Sequence, residues 1–387
     1  MTNTMICEMI ERFPTSEQLF AWLRSDEGGR LVVREDWMTP DEPLVLIHYQ
    51  KDKSNMDLPH TGLFRSVIWD AIAHCPVCVS PVRGLKFAAA VDAGIDVTTS
   101  AVEDFVDGPM INLFNYRGRW RIATRTVIDA ECNFYAARGR YFADLFWETF
   151  QAQGLTLEML IPGLTYSFVL QHPEERIVVA PKYGIPKLYL VDTTAAVLPP
   201  ALQALAPQLH RDLKTLEDVK ERIAAWGKRF RAGWQGLVVK VDGKRYKIRS
   251  EQYDEARHLR GNQNNRPYIW LERWSEGRLA AYLRQYPEEQ NDADAVVTSF
   301  KTETKAAHDC YVAVYRNREY PLGKAPAKYR KFLWDAHAAN KGAYFPHFRQ
   351  FMNDQDTARK LWLVNFDRRF ASTPATAEVV EYREVPN

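Results

Sequence analysis

The sequence AVEDFVDGPMINLFNYRGRWRIATRTVIDA occupies residues 101–130 and organises the rest of the chain. An apolar run at 110–114 and a second run at 120–124 flank a polar segment that contains Gly118. Two such runs joined by a short loop with glycine predict a β-hairpin. The Asp107-Gly108 turn then lies at the mouth of the hairpin, where a backbone can approach a ligand, and Arg125 at the far end could reach an anion. The alternative is an ordinary hairpin with a solvated arginine.

Three later segments follow this hairpin in a recognisable order: TYSFVLQHPEERIVV at 165–179, WQGLVVK at 234–240 and YKIRSEQY at 246–253. Together with the Asp-Gly turn, their order and spacing resemble the nucleotidyltransferase motifs of the phage-type RNA ligase family. That family belongs to the covalent nucleotidyltransferases, which also include DNA ligases and capping enzymes. Four motifs in register over roughly 150 residues make a fairly specific pattern. The resemblance covers residues 65–253 and implies an α+β nucleotidyltransferase domain built on antiparallel sheet.

Three positions depart from the family pattern. The first motif of the family is Lys-x-Asp-Gly, whose lysine attacks the α-phosphate of ATP, whereas here Phe105 precedes Val-Asp107-Gly108. A benzyl side chain has no lone pair, so the ordinary covalent step cannot take place at this residue. Val169 and Gln235 stand where the family carries glutamates that would help hold Mg²⁺ or Mn²⁺ or the ribose. The resemblance implies ATP as a possible nucleotide, with degraded metal positions and no metal ligand assigned.

The basic part of the pattern is kept. Lys240 stands at the lysine of the fourth motif, and Lys247 with Arg249 gives the fifth motif Lys-x-Lys in the form Lys-x-Arg. Arginine still offers charge and a bidentate fork for phosphate. The resemblance implies that these residues, with Asp107, Gly108 and Arg125, face the nucleotide or its phosphates. Lys and Arg alternating on a strand are also typical of a solvated sheet face.

Residues 61–87 are similar to the segment that precedes the nucleophile motif in RNA ligases. Arg65 is followed by an apolar strand, a second strand, and then Lys86-Phe87. The resemblance implies that Arg65 and Lys86 lie near the nucleotide or its phosphates. Lys86 is also the nearest upstream lysine that could replace the missing nucleophile, although a displaced amine must still reach an in-line position about 3 Å from phosphorus.

Local patterns outside these motifs predict further elements. Strands are expected at 166–170, 177–180 and 188–191, and a hairpin is expected to turn at Asp242-Gly243. From residue 271 to 370, apolar residues recur every three or four positions, which predicts a helical C-terminal domain. This domain also resembles the helical appendage of phage-type RNA ligases. We expect an N-terminal extension at 1–60, the nucleotidyltransferase domain at 61–265, the helical domain at 266–370 and a flexible tail at 371–387.

The composition is that of an ordinary globular chain and selects no function. With 51 basic and 49 acidic residues among 387, any nucleic-acid footprint must be local. Five cysteines without a signal peptide predict reduced thiols in a soluble, intracellular and cytoplasmic protein. No stretch approaches the roughly 20 apolar residues that span a membrane. The single CxxC at Cys75 and Cys78 lacks a second pair at zinc spacing, so no metal site is predicted.

Three hypotheses about function remain open. The first is a viral or phage-like RNA ligase-like nucleotidyltransferase acting on RNA ends with altered or partial chemistry. Only enzyme adenylylation needs the motif lysine, so such a chain could still seal a 5′ end that already carries AMP. The second is a catalytically inactive pseudo-ligase that binds nucleotide or RNA through its basic residues. The third is a structural or interaction protein that keeps only the fold. The sequence therefore leaves open whether the chain is an enzyme.

Overall fold

The structure is a computed structural model that describes residues 4–39, 41–135 and 140–371, without the side chains of the last three. The chain divides into two compact units, Met1–Leu259 and Arg260–Asn387. The tail expected at 371–387 lies, from residue 372 onward, outside the described residues.

Strands dominate the first unit, and its described part contains twelve of them. In chain order they are β1 (Val32–Arg34), β2 (Leu44–His48), β3 (Val67–Asp70), β4 (Cys75–Val79), β5 (Leu85–Lys86), β6 (Ala101–Asp104), β7 (Met110–Tyr116), β8 (Arg119–Ala123), β9 (Thr165–Gln171), β10 (Lys187–Thr193), β11 (Gly236–Val241) and β12 (Lys244–Arg249). They form three sheets, in the orders β1-β2-β3-β4, β10-β9-β7-β8 and β5-β12-β11-β6. The described ladders are antiparallel, except that β5 runs parallel to β12.

Helices pack on these sheets. In the first unit they are α1 (Thr4–Arg12), α2 (Ser16–Arg24), α3 (Ala88–Asp92), α4 (Phe142–Ala152), α5 (Pro200–Gln203), α6 (Leu216–Phe230) and α7 (Glu251–Arg260), at whose end the second unit begins. The second unit contains α8 (Arg266–Ser275), α9 (Leu279–Gln285), α10 (Gln290–Tyr311), α11 (Ala327–Ala338), α12 (Phe345–Asn353) and α13 (Thr357–Ala371). The predicted α+β class with a helical C-terminal region is confirmed.

The hairpin predicted within residues 101–130 is confirmed as β7 and β8. Its turn has only two residues, Arg117 and Gly118, with φ of 48° and 81°. Positive φ at both positions is typical of the tight turns that match the twist of a hairpin. Because the turn is this tight, pairing extends to Tyr116 and Arg119, beyond the apolar runs from which the hairpin was predicted.

β7 is apolar along most of its length because both of its faces are buried. Ile111 and Leu113 point into a core formed with α4, which contributes Leu145 and Phe146. On the opposite face, Phe114 contributes to a core shared with the sheet of β1–β4. The sequence of a strand buried on both faces is a continuous run of apolar residues, not an alternation of apolar and polar residues. The two outer layers are thereby held against one central sheet.

The third sheet has two faces of different chemistry. Val102, Leu237, Val239 and Tyr246 belong to a core that includes side chains of α6. Side chains in a strand alternate between faces, so their immediate neighbours must lie on the other side. On β12 those neighbours form the basic series at residues 245, 247 and 249. The core therefore fixes the direction in which the predicted phosphate-binding residues point.

The strand predicted at 177–180 is not formed. Residues 177–179 lie in a bend, and the backbone N–H groups of Val178 and Val179 donate to Asp107 Oδ2, each at 2.9 Å. Val178 is nevertheless buried, in a small cluster with Tyr253. Burial accounts for the apolar residues that suggested a strand, while the hydrogen bonds of a ladder are replaced by a carboxylate.

The second unit is built from helices around its own core. Leu271 of α8, Phe300 of α10, Phe332 and Leu333 of α11 and Phe348 of α12 are buried together in it. Each lies on the apolar stripe of an amphipathic helix, which explains why the recurrence of apolar residues identified this region.

Candidate functional site

A cavity of about 760 Å³ lies within the first unit, lined by residues between Tyr49 and Arg257. One wall is the non-core face of the third sheet, which contributes Glu103, Val238 and Lys247. The turn at Asp107 and Gly108 and the segment around Arg125 also reach it. The cavity thus joins segments that are distant in the sequence.

The lining of this cavity is strongly basic. Nine Lys and Arg residues face it, against three acidic ones: Lys51, Arg65, Arg83, Lys86, Arg125, Arg245, Lys247, Arg249 and Arg257. Among the described residues, eight of the nine form no ion pair, and the ninth, Arg249, lies 3.9 Å from Asp254. Positive charge is therefore concentrated at this site, although the net charge of the whole chain is only +2.

Each acidic residue of the lining has another partner, and none forms an ion pair with these nine cations among the described residues. Glu103 Oε2 lies 2.6 Å from Lys240 Nζ. Asp104 Oδ1 accepts a hydrogen bond from Trp234 Nε1 at 3.0 Å and lies 3.0 Å from His210 Nε2. The third carboxylate, Asp107, is 7% exposed and fully hydrogen-bonded.

Asp107 connects three segments of the first unit. Its Oδ2 accepts from the backbone of Val178 and Val179, and its Oδ1 accepts from the hydroxyl of Tyr253 at 2.7 Å. Burial and the neighbouring Asp107 carboxylate raise the pKa of Tyr253, so this hydroxyl remains a donor. Gly108 follows with φ of 146°, and a Cβ there would stand 2.2 Å from the carbonyl oxygen of Leu170. The Asp-Gly pair therefore fixes the backbone beside the cavity.

Phe105 occupies the predicted nucleophile position and faces the cavity. Its backbone N–H donates to the carbonyl of Gly236 at 2.8 Å, and Gly236 is the ladder partner of Arg249. Because Gly236 has no side chain, the guanidinium of Arg249 lies over the Phe105 ring, with Cζ 5.3 Å from the centroid. This distance is within the range of cation–π attraction. The ring of Phe105 thus stabilises the guanidinium of Arg249 beside the cavity.

Lys247 lies between Arg245 and Arg249 on the same face of β12. Its stem passes over Gly84, where a Cβ would stand 3.4 Å from Lys247 Cδ. Burial, followed by repulsion from Arg249, lowers the pKa of Lys247 to about 8. Lys86 is its neighbour on β5, in the parallel register, and is exposed.

Arg65 and Arg125 form another part of the wall. Burial, followed by the charge of Arg245, lowers the pKa of Arg65 to about 10. Arg125 Nη2 donates to the carbonyl of Tyr49 at 2.5 Å, and its guanidinium lies over the Tyr49 ring at 4.6 Å. Arg125 Nε is buried without a hydrogen-bond partner among the described residues.

The structure brings together most of the residues singled out from the sequence. Arg65, Lys86, Asp107, Gly108, Arg125, Lys247 and Arg249 all line the cavity. Lys240 does not. Its ammonium is bound by Glu103 and donates to the carbonyl of Val191 at 2.8 Å, in a second cavity of about 580 Å³. It lies on the same sheet face as Val238, opposite Arg245, where that face borders β6 and β10 rather than the Asp107 turn.

All three departures from the family pattern lie in the same cavity, since Val169 and Gln235 line it together with Phe105. Gln235 is 5% exposed, and its Oε1 has no hydrogen-bond partner among the described residues. The described residues contain no group of three or more His, Cys, Asp or Glu side chains that could hold a metal ion. With the lining carboxylates already engaged, the donor set does not fit a resident divalent metal.

Sequence reasoning missed four cations of the cavity. Arg245 could have been found, since it continues the alternation of Lys247 and Arg249 along one strand face. Arg83 directly precedes the Gly84 over which Lys247 passes, but this packing has no sequence signal. Lys51 lies in a loop and Arg257 in α7, so only the folded chain brings them to the cavity.

Basic residues also occur close together in the second unit, and the structure gives most of them partners. Lys328 Nζ lies 2.7 Å from Asp367, and Lys331 Nζ lies 2.8 Å from Asp335. Arg330 Nε donates to the carbonyl of Ala325 at 2.7 Å. Lys324 is exposed and forms no ion pair among the described residues. Together they form a less concentrated positive surface than the cavity.

No helix in the described segments is long and apolar enough to cross a bilayer.

No protein-family profile matches the chain, and neither does any curated protein. Among solved structures the chain is similar to an archaeal ATP-dependent RNA ligase in two forms. Form 1 has 14% identity and a TM-score of 0.37 over 76% of this chain and 78% of that one. Form 2 has the same identity and TM-score over 78% and 82%.

A third similar structure is named "Putative ATP-dependent DNA ligase from Aquifex aeolicus". It has 14% identity and a TM-score of 0.39, and the match covers 76% of this chain and 81% of that one. The chain thus has a distant structural resemblance to ATP-dependent RNA and DNA ligases.

Proposed function

We propose that this chain is an RNA ligase-like nucleotidyltransferase that acts on RNA ends with altered or partial chemistry. In this proposal the basic cavity binds the phosphates of a nucleotide or of an RNA 5′ end. The observation that carries it is the charge of the lining, where eight of nine cations have no ion-pair partner among the described residues. Cations held close together repel one another until an anion enters, so a polyanionic ligand is favoured.

The cavity also has donors that are ready for such a ligand. Arg125 Nε, Arg245 Nη1 and Arg249 Nε are buried, and none has a hydrogen-bond partner within the described chain. Buried donors are normally satisfied, and phosphate oxygens are strong acceptors for guanidinium groups. A volume of about 760 Å³ lies within the range of small-ligand sites. Tyr49 and Phe105 add aromatic surface beside the charges.

ATP is the nucleotide that the motif resemblance favours, and the cations suit its triphosphate. If the RNA end already carries AMP, the sealing step does not require a nucleophilic side chain at position 105. In that case the guanidinium and ammonium groups orient the adenylyl phosphate while a 3′-hydroxyl attacks the 5′-phosphate and AMP leaves. No metal-dependent step is assigned, because the lining carboxylates are engaged elsewhere.

A second candidate is a pseudo-ligase that binds nucleotide or RNA ends without joining them. The packing of Arg249 over Phe105 favours the pseudo-ligase. The aromatic ring at position 105 contacts a guanidinium, whereas the family carries a reactive lysine amine at this position. The two candidates share the ligand and differ only in turnover. They are therefore separated by a sealing assay rather than by binding.

The test uses an RNA oligonucleotide with a 5′-hydroxyl, a 5′-phosphate or a pre-adenylylated 5′ end. We expect the last two to bind more tightly than the first, with affinity falling as salt rises because phosphate contacts release counterions. Sealing of the pre-adenylylated RNA to a 3′-hydroxyl acceptor supports the ligase, and binding without sealing supports the pseudo-ligase. An affinity for RNA that depends on neither the 5′ group nor the salt concentration would overturn both candidates.

A pair of variants assigns the binding to the cavity. Arg65→Ala removes a half-buried cation of the lining, and we expect about a tenfold loss of affinity for the phosphorylated end. Lys244→Ala is the control, because Lys244 is exposed on β12 and lies outside the basic cavity. Equal losses from the two variants would place the binding elsewhere on the surface.

A further inference from the structure

We propose that Lys247 is a displaced nucleophile, which accepts a nucleoside monophosphate from a nucleoside triphosphate in place of the lysine that Phe105 has replaced. This inference rests on the proposed function, because it requires that a nucleotide binds in the basic cavity. It adds a covalent intermediate and names the residue that carries it.

The register of β12 supports this position. Arg245, Lys247 and Arg249 lie on one face of the strand, and alternate residues of a strand are about 6.4–6.8 Å apart. A phosphate held between the two guanidinium groups would therefore lie over the ammonium group of Lys247. Arg245 Nη1 and Arg249 Nε are both buried without hydrogen-bond partners among the described residues, as expected of donors that await such a group.

Lys247 is also in a suitable state to react. Its ammonium has no ion-pair partner in the described chain, while its stem is held over Gly84. Its pKa is lowered to about 8, by burial first and by the charge of Arg249 next. At pH 7 about a tenth of the side chain is then a free amine, compared with less than about a thousandth for an ordinary lysine. Desolvation beside other cations is a recognised way to activate a lysine.

The other lysines of the region fit this role less well. Lys51 and Lys86 line the cavity but are exposed, so their stems are not held in place. Lys240 is bound to Glu103 and lines the second cavity. Lys247 alone among these four is both half-buried and unpaired within the described residues.

The reaction balances without an oxidant or reductant. The lone pair of Lys247 Nζ attacks the α-phosphorus, and an N–P bond forms. The P–O bond to the bridging oxygen of the β-phosphate breaks, and pyrophosphate leaves with the electron pair. The nitrogen loses its extra proton to the departing pyrophosphate or to water. Arg245 and Arg249 stabilise the charge that develops on the phosphoryl oxygens.

The experiment incubates the full-length protein with α-phosphate-labelled ATP or GTP in the presence of magnesium, manganese or a chelator. Denatured protein is then examined for a label that is stable to alkali and lost in acid, as a phosphoramidate is. Peptide mass mapping locates the modified residue. We expect the mass of the nucleoside monophosphate on Lys247, and a labelling rate that rises with pH to a plateau above a midpoint near 8.

Two matched variants complete the test. Lys247→Arg keeps the charge but not the nucleophile, and we expect at least a hundredfold loss of label with nucleotide affinity changed less than about threefold. Lys244→Arg, on the same strand but outside the basic cavity, should label normally. Circular dichroism checks that both variants fold.

Label on another residue, or no label although equilibrium dialysis shows that ATP binds, would overturn the assignment of Lys247 and leave the proposed function standing. Absence of nucleotide and RNA-end binding would overturn both. If Lys247→Arg does not fold, the mapped position of the label in the natural protein still decides the outcome.

Discussion

Asp107 belongs to a motif that the sequence associates with chemistry, yet its contacts are structural. Its two oxygens accept hydrogen bonds from Val178, Val179 and Tyr253. In Asp107→Asn the amide nitrogen would replace one of the two accepting oxygens, so a buried donor loses its charged acceptor. We expect the free energy of unfolding to fall by about 1–3 kcal/mol, measured by urea denaturation.

The matched control for this change is Asp92→Asn, because Asp92 is exposed at the end of α3. Its substitution should alter stability by less than about 0.5 kcal/mol. Similar losses in both variants would mean that the bonds of Asp107 do not stabilise the fold.

Lys247 links the charge of the cavity to stability. Because burial lowers its pKa to about 8, against 10.5 for an ordinary lysine, the charged form destabilises the folded state. Between pH 8 and 10.5 the unfolded chain binds more protons at this position, so its contribution to stability rises with pH. Lys247→Met should therefore stabilise the protein at pH 7 by about 1 kcal/mol, after allowance for solvent screening, and this advantage should vanish near pH 10.5.

The measurement for Lys247→Met is urea denaturation of variant and natural protein at several pH values from 7 to 10.5. Groups distant from Lys247 that titrate in this range contribute equally to both proteins, so the difference reports on Lys247 and the cations coupled to it. Lys86→Met is the control, since Lys86 is exposed on the neighbouring strand. A stability difference for Lys247→Met that stays constant across the range would show that the ammonium is well solvated.

At the level of elements, the hairpin of β11 and β12 depends on Gly236. This residue has φ of 145°, and a Cβ would stand 2.1 Å from the carbonyl oxygen of Ile248. Gly236→Ala should destabilise the protein by about 3 kcal/mol, because it combines backbone strain with a clash that the paired strands cannot relieve. Because Arg249 and Phe105 meet across this glycine, nucleotide binding should weaken as well.

Gly243→Ala provides the control on the same hairpin. Gly243 also has positive φ, at 73°, but a Cβ there would meet nothing within 4 Å. We expect a loss of about 1 kcal/mol from the left-handed backbone alone, without an effect on binding. Thermal unfolding compares the two variants, and equal shifts would exclude a special role for the close approach at Gly236.

The elements differ in how well the sequence predicts them. Turn chemistry at Arg117-Gly118 and Asp242-Gly243 is local, so both hairpins could be predicted. The segment at 177–180 has the apolar residues of a strand, but its backbone donors bind Asp107, 71 residues away for Val178. Such a partner cannot be read from a local pattern.

The same distinction applies to the cavity. Lys247 and Arg249 follow from alternation along one strand, whereas Lys51 and Arg257 approach only after three sheets and α7 have packed. Lys240 was placed with them because it stands at the lysine of the fourth motif. Its position on β11 instead pairs it with Glu103 on β6.

At the scale of the whole molecule, the basic cavity proposed to bind the ligand lies within one unit. Every residue that lines the basic cavity lies between 49 and 257, within the first unit. That unit has hydrophobic cores around α4, around α6 and under the sheet of β1–β4, while the helical unit has its own. A length of 259 residues is ample for independent folding.

A fragment ending after α7, residues 1–262, should therefore fold and bind ATP with an affinity within about threefold of the full chain. Isothermal titration calorimetry at equal salt compares the two, and circular dichroism verifies the strand content of the fragment. The same fragment with Lys247→Ala serves as the control, since it removes one cation from the lining and should bind more weakly. A folded fragment that no longer binds ATP, while the full chain does, would mean that the helical unit contributes directly to the nucleotide site.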